Sequence, residues 1–416
     1  MNQTKLKRYQ WVGFALCLLL AATVHFSKIS EPLDHLLLDS QFKWLRQYHP
    51  QPVIHDVVVV GIDEATYAAF PEPLALWHPH LGKLFQAFAQ GKPALVALDV
   101  VLPERSYNFL IPQYDLPLLQ GLMQLRAQSQ VLLGRSVDGN GKFRKIFPPY
   151  ISITGSDSQP SVMVCLDADG VARRFEGNLC SDDTPVQTLA GKMAGLDGAG
   201  GKAVKGLIDY SIGAPFSYIP FMDVVSWYEQ GDTGKLEQMF SGKTVLVGVI
   251  MPYTDRVDFP APIAAWEPAA TKLPGVLWHA QAYRSLKFHG LIHEMSKAAL
   301  LILTLAAALL WFGRLGWIKA ALFGVFLTGV LAYSLVQLTQ SLYLPVGAVL
   351  LSGTMAFIVR AIYEAVMQMR ERRLLRGTFG SYVSPQILQE IIAGNIKPGL
   401  GGERKRLCVL FSDIRD

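Results

Sequence analysis

Charge is scarce in this chain: Asp, Glu, Lys and Arg make up 17% of its 416 residues, while 51% are hydrophobic. An ordinary soluble domain carries about 25% charged residues, so this balance excludes a wholly water-exposed protein and sends part of the chain into lipid. The surplus of positive charge is small, a net +5, and the basic residues gather beside apolar runs without a tail interleaved with aromatics. Nucleic acid is thereby excluded as a partner, and the membrane surface accounts for the basic residues. Cysteine is also sparse. Cys17 sits in an apolar run, Cys408 in the closing one, and Cys165 and Cys180 fall together in a Gly- and Asp-rich middle region. These spacings make no zinc site. Exposed to an oxidising compartment, Cys165 and Cys180 are expected to form a disulfide; the alternative is two unrelated buried thiols. A phosphate-binding loop is missing too, because Glu237 stands where Gly242-Lys243-Thr244 would need its leading glycine and the segment runs into a strand.

What is present is a set of long apolar runs. Trp11 to Phe26 lacks charge and follows Lys5, Lys7 and Arg8, the pattern of a signal anchor, with a cleaved signal peptide as the rival reading. Apolar runs return at Ala298 to Phe312, Ala320 to Leu338 and Leu342 to Val359. The expected organisation is a cytoplasmic N-terminus over 1–9, a transmembrane helix over 10–29 and an exported block over 30–290. Three further transmembrane helices follow over 296–313, 319–338 and 342–362, then a helical linker over 363–400 and a closing segment over 401–416. Four spans place both ends in the cytoplasm, which agrees with the basic N-terminus, with Arg314 and Lys319 in one loop, and with Arg360, Arg370, Arg372, Arg373 and Arg376 after the last span. Val359, Ile362, Val366 and Met369 keep a-and-d spacing, too briefly to choose between a dimer seam and a solvated helix.

The exported block reads as α/β. Val57 to Ile62, Ala94 to Leu98, Val131 to Gly134 and Thr244 to Ile250 are β-branched or aliphatic runs without alternation, and a helical pattern lies between the first two at His80 to Gln90. Strands buried on both faces predict a mainly parallel or mixed sheet covered by helices. The stretch 136–215 is expected to be loops and short hairpins.

Asp63 and Asp99 each follow such a strand, and Asp255 comes shortly after the last one. In an open parallel sheet that edge is where ligands bind, so the three are candidate ligand-binding residues. The competing role is helix and turn capping, for which Asp63 before Glu64-Ala65-Thr66 is well suited. His78, His80, His289 and His293 offer no second ligand cluster and do not make a metal site. The closing run, Leu407 to Phe411 before Ser412-Asp413, reads as a buried strand that cannot fold alone, so the chain is expected to be the front of a longer protein.

Two family resemblances add to this. Leu400 to Arg406 followed by Val409-Leu410-Phe411-Ser412-Asp413-Ile414-Arg415 resembles the opening of a class III adenylate or guanylate cyclase, an α+β domain, and Phe379 to Pro385 resembles the segment joining such domains to their sensors. The resemblance implies a bacterial inner-membrane, multi-pass receptor that works as a homodimer and converts ATP to cyclic AMP and pyrophosphate with two magnesium or manganese ions. Asp413 would be a metal ligand through its carboxylate, and Ile414 through its backbone carbonyl. The second metal aspartate and the purine-selecting residues are absent, so 1–416 is expected to be inactive alone and ATP and GTP are not distinguished. Val57 to Thr66, Ala94 to Val101, Phe240 to Gly248 with Asp255, Leu273 to Val276 and His279-Ala280 resemble the type-2 CHASE extracellular sensor, whose signal they do not identify. A non-catalytic receptor and the sensor half of a kinase are the alternatives. The second is disfavoured because no phosphoacceptor His motif follows the membrane helices.

Overall fold

The computed structural model describes residues 3–176, 187–196 and 204–379, together with Arg406 and Cys408. They form two compact units: one comprises Ser27–Ile302 and Thr328–Ala348, and the other the remaining described residues.

The larger unit is built on strands β1 (Val58–Ile62), β2 (Leu95–Asp99), β3 (Gln130–Leu133), β6 (Tyr218–Pro220) and β7 (Thr244–Val249). They form one parallel sheet in the order β3-β2-β7-β1-β6. Short paired strands lie outside it: β4 (Arg174–Glu176) with β5 (Lys205–Leu207), β8 (Arg256–Asp258) with β9 (Lys272–Pro274), and β10 (His293–Glu294) with β11 (Leu342–Tyr343). Alternation along the central strands feeds two separate cores. Val60, Val96, Leu98 and Val247 pack beneath α4 (His78–Gly91), α5 (Leu116–Arg126), α8 (Phe221–Glu229) and α9 (Thr233–Phe240). Val59, Ala97 and Leu246 face α2 (Glu31–Tyr48), α7 (Leu189–Met193) and α10 (Val276–Arg284) on the opposite side. The expected α/β architecture with a parallel sheet is the one found, and burial on both faces is why its strands lack alternation in sequence.

The connections determine where a crevice opens. After β1 the chain passes through α3 (Glu64–Ala69) to α4, and after β2 to α5, all on one face. After β7 it passes to α10 on the other face. β7 lies between β2 and β1, so the direction of exit reverses on both sides of it, which is the topological condition for a ligand crevice at the carboxyl edge.

The second unit takes in α1 (Gln3–Phe26) and parts of α11 (Lys297–Ala307), α12 (Trp317–Thr339) and α13 (Gly347–Phe379). Three helical stretches are long and apolar enough to cross a membrane: Tyr9–Phe26, Trp317–Thr339 and Gly347–Leu374. This corrects the expectation of four. The stretch expected at 296–313 is α11 tightening into a 3-10 turn at Ala308–Trp311. Phe312 is then extended and Gly313 takes a positive φ of 92°, so the helix stops short. At helical rises of about 1.5 and 2.0 Å per residue it reaches about 25 Å, against a hydrocarbon core of roughly 30 Å. The last span also starts later than 342, because Leu342–Tyr343 pair as β11 and the helix begins at Gly347.

Within this second unit the buried indole of Trp311 donates to the Gln10 carbonyl at 3.0 Å. Glu364 on α13 accepts the Leu315 N–H on both carboxylate oxygens, at 3.0 and 2.9 Å, and pairs with Arg360 Nε at 2.8 Å. The Arg360 guanidinium lies 5.3 Å from the centres of the Trp311 and Tyr363 rings.

Candidate functional site

Asp99 is the last residue of β2, and its side chain follows Ala97 onto the α10 face, where 7% of it is exposed. Its Oδ1 lies 3.7 Å from Nε2 of His279, on the first turn of α10. His279 is buried and sits 3.2 Å from the Val162 carbonyl, so Nε2 is assigned the proton. Its Nδ1 is buried without a hydrogen-bond partner among the described residues. Burial drives the imidazole down to about 4, a shift the Val162 contact only partly opposes. Burial drives the Asp99 carboxyl well above the usual range, and the charge of Asp255 adds to this. Burial thus disfavours the charged form of each group.

Asp255 reaches this edge from the loop after β7. It holds a left-handed φ of 49°, and its carbonyl accepts the Gly275 N–H at 2.7 Å just ahead of α10. The residue is exposed, yet partial desolvation raises its carboxyl. Gly248 in β7 permits the close approach of α10: a Cβ there would fall 2.5 Å from Val276 Cγ2.

Asp63 has a different role. Its Oδ1 accepts from the Thr66 N–H at 2.8 Å and the Thr66 hydroxyl at 2.6 Å, capping α3, while Tyr218 Oη lies 3.5 Å from Oδ2. Of the three candidate aspartates, the structure brings Asp99 and Asp255 into electrostatic contact and gives Asp63 a capping role. Asp413 and Ile414 lie outside the described residues, as does Cys180; Cys165 is buried.

A cleft of about 660 Å³ opens against the other side of the β2 end, walled by Val100, Leu102, Leu81 and Phe109. Side chains 99 and 100 point to opposite faces of the sheet, so the cleft and the Asp99–His279 pair flank one short piece of backbone. The polar group in the wall is His78, which is 1% exposed, with Nδ1 2.9 Å from Asp115 Oδ1. Asp115 also accepts from the Ser106 hydroxyl and from the Tyr107 N–H at 3.3 Å. A carboxylate holding three donors assigns the His78 proton to Nδ1 and leaves Nε2 a buried acceptor without a hydrogen-bond partner among the described residues. Burial lowers the His78 imidazole against the opposing pull of Asp115, keeping it neutral. Glu104, Arg105 and Arg144 are the exposed charges lining this cleft.

A cluster of metal-ligand types is formed by His35, Asp167 and Asp169. The buried Arg173 guanidinium already bonds Asp39, Asp167 and Asp169 at 2.7 to 3.1 Å, so a fixed cation neutralises the cluster. The His78–Asp115 pair leaves no sequence signal, because the two partners stand 37 residues apart. His279 stands out in the sequence only as part of the family pattern. A lone histidine on an apolar helix gives no signal of its own, and only the Asp-strand-edge pattern pointed to this region.

Compared with known proteins, the chain matches the CHASE2 domain family over residues 14–331. No curated protein and no solved structure matches it.

Proposed function

The chain belongs to the CHASE2 family, extracellular sensor domains typical of signalling receptors, and on that premise we propose that it is the receiving half of a transmembrane class III nucleotide cyclase. The observation that carries the sensing part is the shared end of β2. A ligand held in the cleft against Val100 and Leu102 bears on the same backbone that holds Asp99 beside His279, and the chain leaving α10 runs through a π-helical turn at Ser285–His289 and β10 before α11. Displacement of the β2 end would reach the membrane helices along that route.

The output reading rests on the resemblance of Val409 to Arg415 to the first cyclase strand. With the catalytic domain complete, Asp413 and the Ile414 carbonyl would hold magnesium or manganese between two subunits. The ribose 3′-oxygen of ATP would attack the α-phosphorus, forming cyclic AMP, releasing pyrophosphate and giving up the hydroxyl proton. Ions held by Asp413 and the Ile414 carbonyl would lower the charge barrier to that attack.

In this reading the sensor faces away from the cytoplasm and both basic ends lie within it, at the bacterial inner membrane. An engineered cysteine at residue 140 should react with an impermeant thiol reagent in intact spheroplasts; protection at 140 would overturn the outside assignment of the sensor.

The function is tested by expressing the full-length protein in bacteria that lack their own cyclase and measuring both cyclic nucleotides. Cyclic AMP should rise with the wild type and return to background with Asp413→Ala. Equal product from both proteins, or none from the wild type, would sink the cyclase reading.

A further inference from the structure

We propose that Asp209 and His289 form a proton-operated latch on the π-helical turn by which the chain leaves the sensor: with His289 protonated the turn is held closed, and loss of that proton as pH rises loosens it. The latch itself is built from the sensor's own residues; its bearing on an output rests on the receptor reading above.

The turn, Ser285–His289, follows α10 directly and leads through Gly290, at a positive φ of 84°, and β10 to α11. Turns of this width are rare and recur at functional places. This one closes on itself, the Gly290 N–H donating to the Ser285 carbonyl at 2.7 Å and the Ser285 hydroxyl to the Gly290 carbonyl at 2.8 Å. Asp209, which follows β5, holds both ends of it. Its N–H donates to Ser285 Oγ at 3.1 Å, and its carbonyl accepts from Gln281 Nε2 at 2.6 Å, one turn earlier on α10. Its Oδ1 accepts the Ser211 N–H and hydroxyl at 2.8 and 2.6 Å, which leaves Oδ2 for His289, whose Nδ1 stands 2.8 Å away. The grip on Ser285 does not titrate; the grip on His289 does. The Asp209 side chain is 2% exposed and that of His289 29%, so the carboxylate is fixed in place while protons reach the ring from solvent.

The contact with Asp209 raises the His289 imidazole above its ordinary 6.5, against the opposing pull of burial. A raised base contributes fully below 6.5 and loses that contribution as pH climbs through its folded value, so the latch is closed in acid. The charges around the pair do not change over this range. Arg46 on α2 acts on Asp209 and, although burial lowers it to about 10, keeps its charge well above neutral pH. Arg284 on α10 pairs with Asp56, Nε standing 3.2 Å from Oδ1, and Lys287 lies exposed in the turn itself. On the flanking strands Lys205 pairs with Glu176 and Glu294 with Arg174, which leaves exposed His293 as the other titrating group of β10.

The test is hydrogen exchange read by mass spectrometry on the full chain in lipid nanodiscs at pH 5.5 and 8.5, each rate divided by the intrinsic rate of a free amide at that pH. Protection of residues 285–292 should fall about five-fold between the two, the difference between a charged and a neutral hydrogen bond. His289→Gln keeps an uncharged donor and should show the lower protection at both pH values, while unchanged protection of Thr244–Val249 reports that the variant is folded. Equal protection of the wild type at the two pH values, or a fall as steep in His289→Gln, overturns the proposal. A nitrogen-15 titration of the histidine rings, with the His289 signal identified by its absence from the variant, should give a midpoint above 6.5; a midpoint at or below that value also overturns it. Under the receptor reading, cyclic nucleotide output from the full-length protein should change with external pH in the wild type and not in His289→Gln. Output indifferent to pH beside a positive exchange result upholds the latch and overturns its coupling to the output, whereas no cyclic nucleotide at any pH overturns the cyclase reading alone.

Discussion

Asp99 Oδ1 and His279 Nε2 stand 3.7 Å apart, an acid whose carboxyl burial raises beside a base whose imidazole burial lowers, where the end of β2 meets α10.

The first prediction concerns the cost of that acid. The Asp99 carboxyl is raised in the folded protein, so its stabilising contribution is complete below the unfolded value near 3.8 and is lost as pH rises. At neutral pH the folded state must then either keep a proton or bury a charge. Asp99→Asn removes this cost, and each unit of carboxyl shift corresponds to about 1.4 kcal/mol. Thermal unfolding at pH 7.5 should show the variant melting at least about 2 °C above the wild type, with the gain gone at pH 4. A variant that melts lower at pH 7.5 would show that the carboxylate is needed as an anion.

Gly248 gives a second test. A methyl group there would collide with Val276, so Gly248→Ala should destabilise the sensor by about 1–3 kcal/mol. Val276→Ala in the same protein should recover part of the loss, read as a non-additive double-mutant cycle in denaturant unfolding. Strict additivity would place the damage elsewhere.

The third concerns Glu364 and the loop it holds. Charge-assisted hydrogen bonds contribute about 1.5–3 kcal/mol, so Glu364→Ala should speed hydrogen exchange at the Leu315 amide by roughly ten-fold or more. Glu364→Gln, which keeps one acceptor, should fall between the two. Unchanged exchange in the alanine variant would show that the loop is held by other contacts.

A fourth follows from the expected bond between Cys165 and Cys180. Non-reducing peptide mapping should recover the two cysteines in one linked peptide. Removing a link that closes a loop of this length costs about 3 kcal/mol, so Cys165→Ser should lower the melting temperature by several degrees, as a reductant does to the wild type. A free thiol at both positions in protein from the oxidising compartment would refute it.

How far sequence alone reached depended on whether the signal was local. Val58–Ile62 and Thr244–Val249 are apolar on both faces, and a run of that kind identifies a buried parallel strand without reference to its neighbours. Asp63 was legible as a cap from Asp-Glu-Ala-Thr for the same reason. Tyr218–Pro220 is three residues long and ends in proline, too short to show any period, although it closes one edge of the sheet. The length of Lys297–Trp311 was overestimated because Phe312 and Gly313 look apolar or neutral in composition while their backbone has left the helix. The cleft was invisible because its wall combines the start of α4, the end of β2 and Arg144, which only the parallel crossovers bring together.

α13 runs without interruption from Gly347 to Phe379, and its first N–H is held by Asp34 Oδ1 at 2.6 Å. Beyond Ser352-Gly353, a pair at which a helix can kink, no proline interrupts the helix, so a twist carried past that pair is not absorbed by a proline bend further on. What such a shaft transmits is angular phase. One residue inserted after Met369 would turn everything beyond it by about 100°, whereas seven would return it to within about 20° of its starting azimuth. On the proposed receptor reading, a series of one- to seven-residue insertions should make the output rise and fall with the helical repeat.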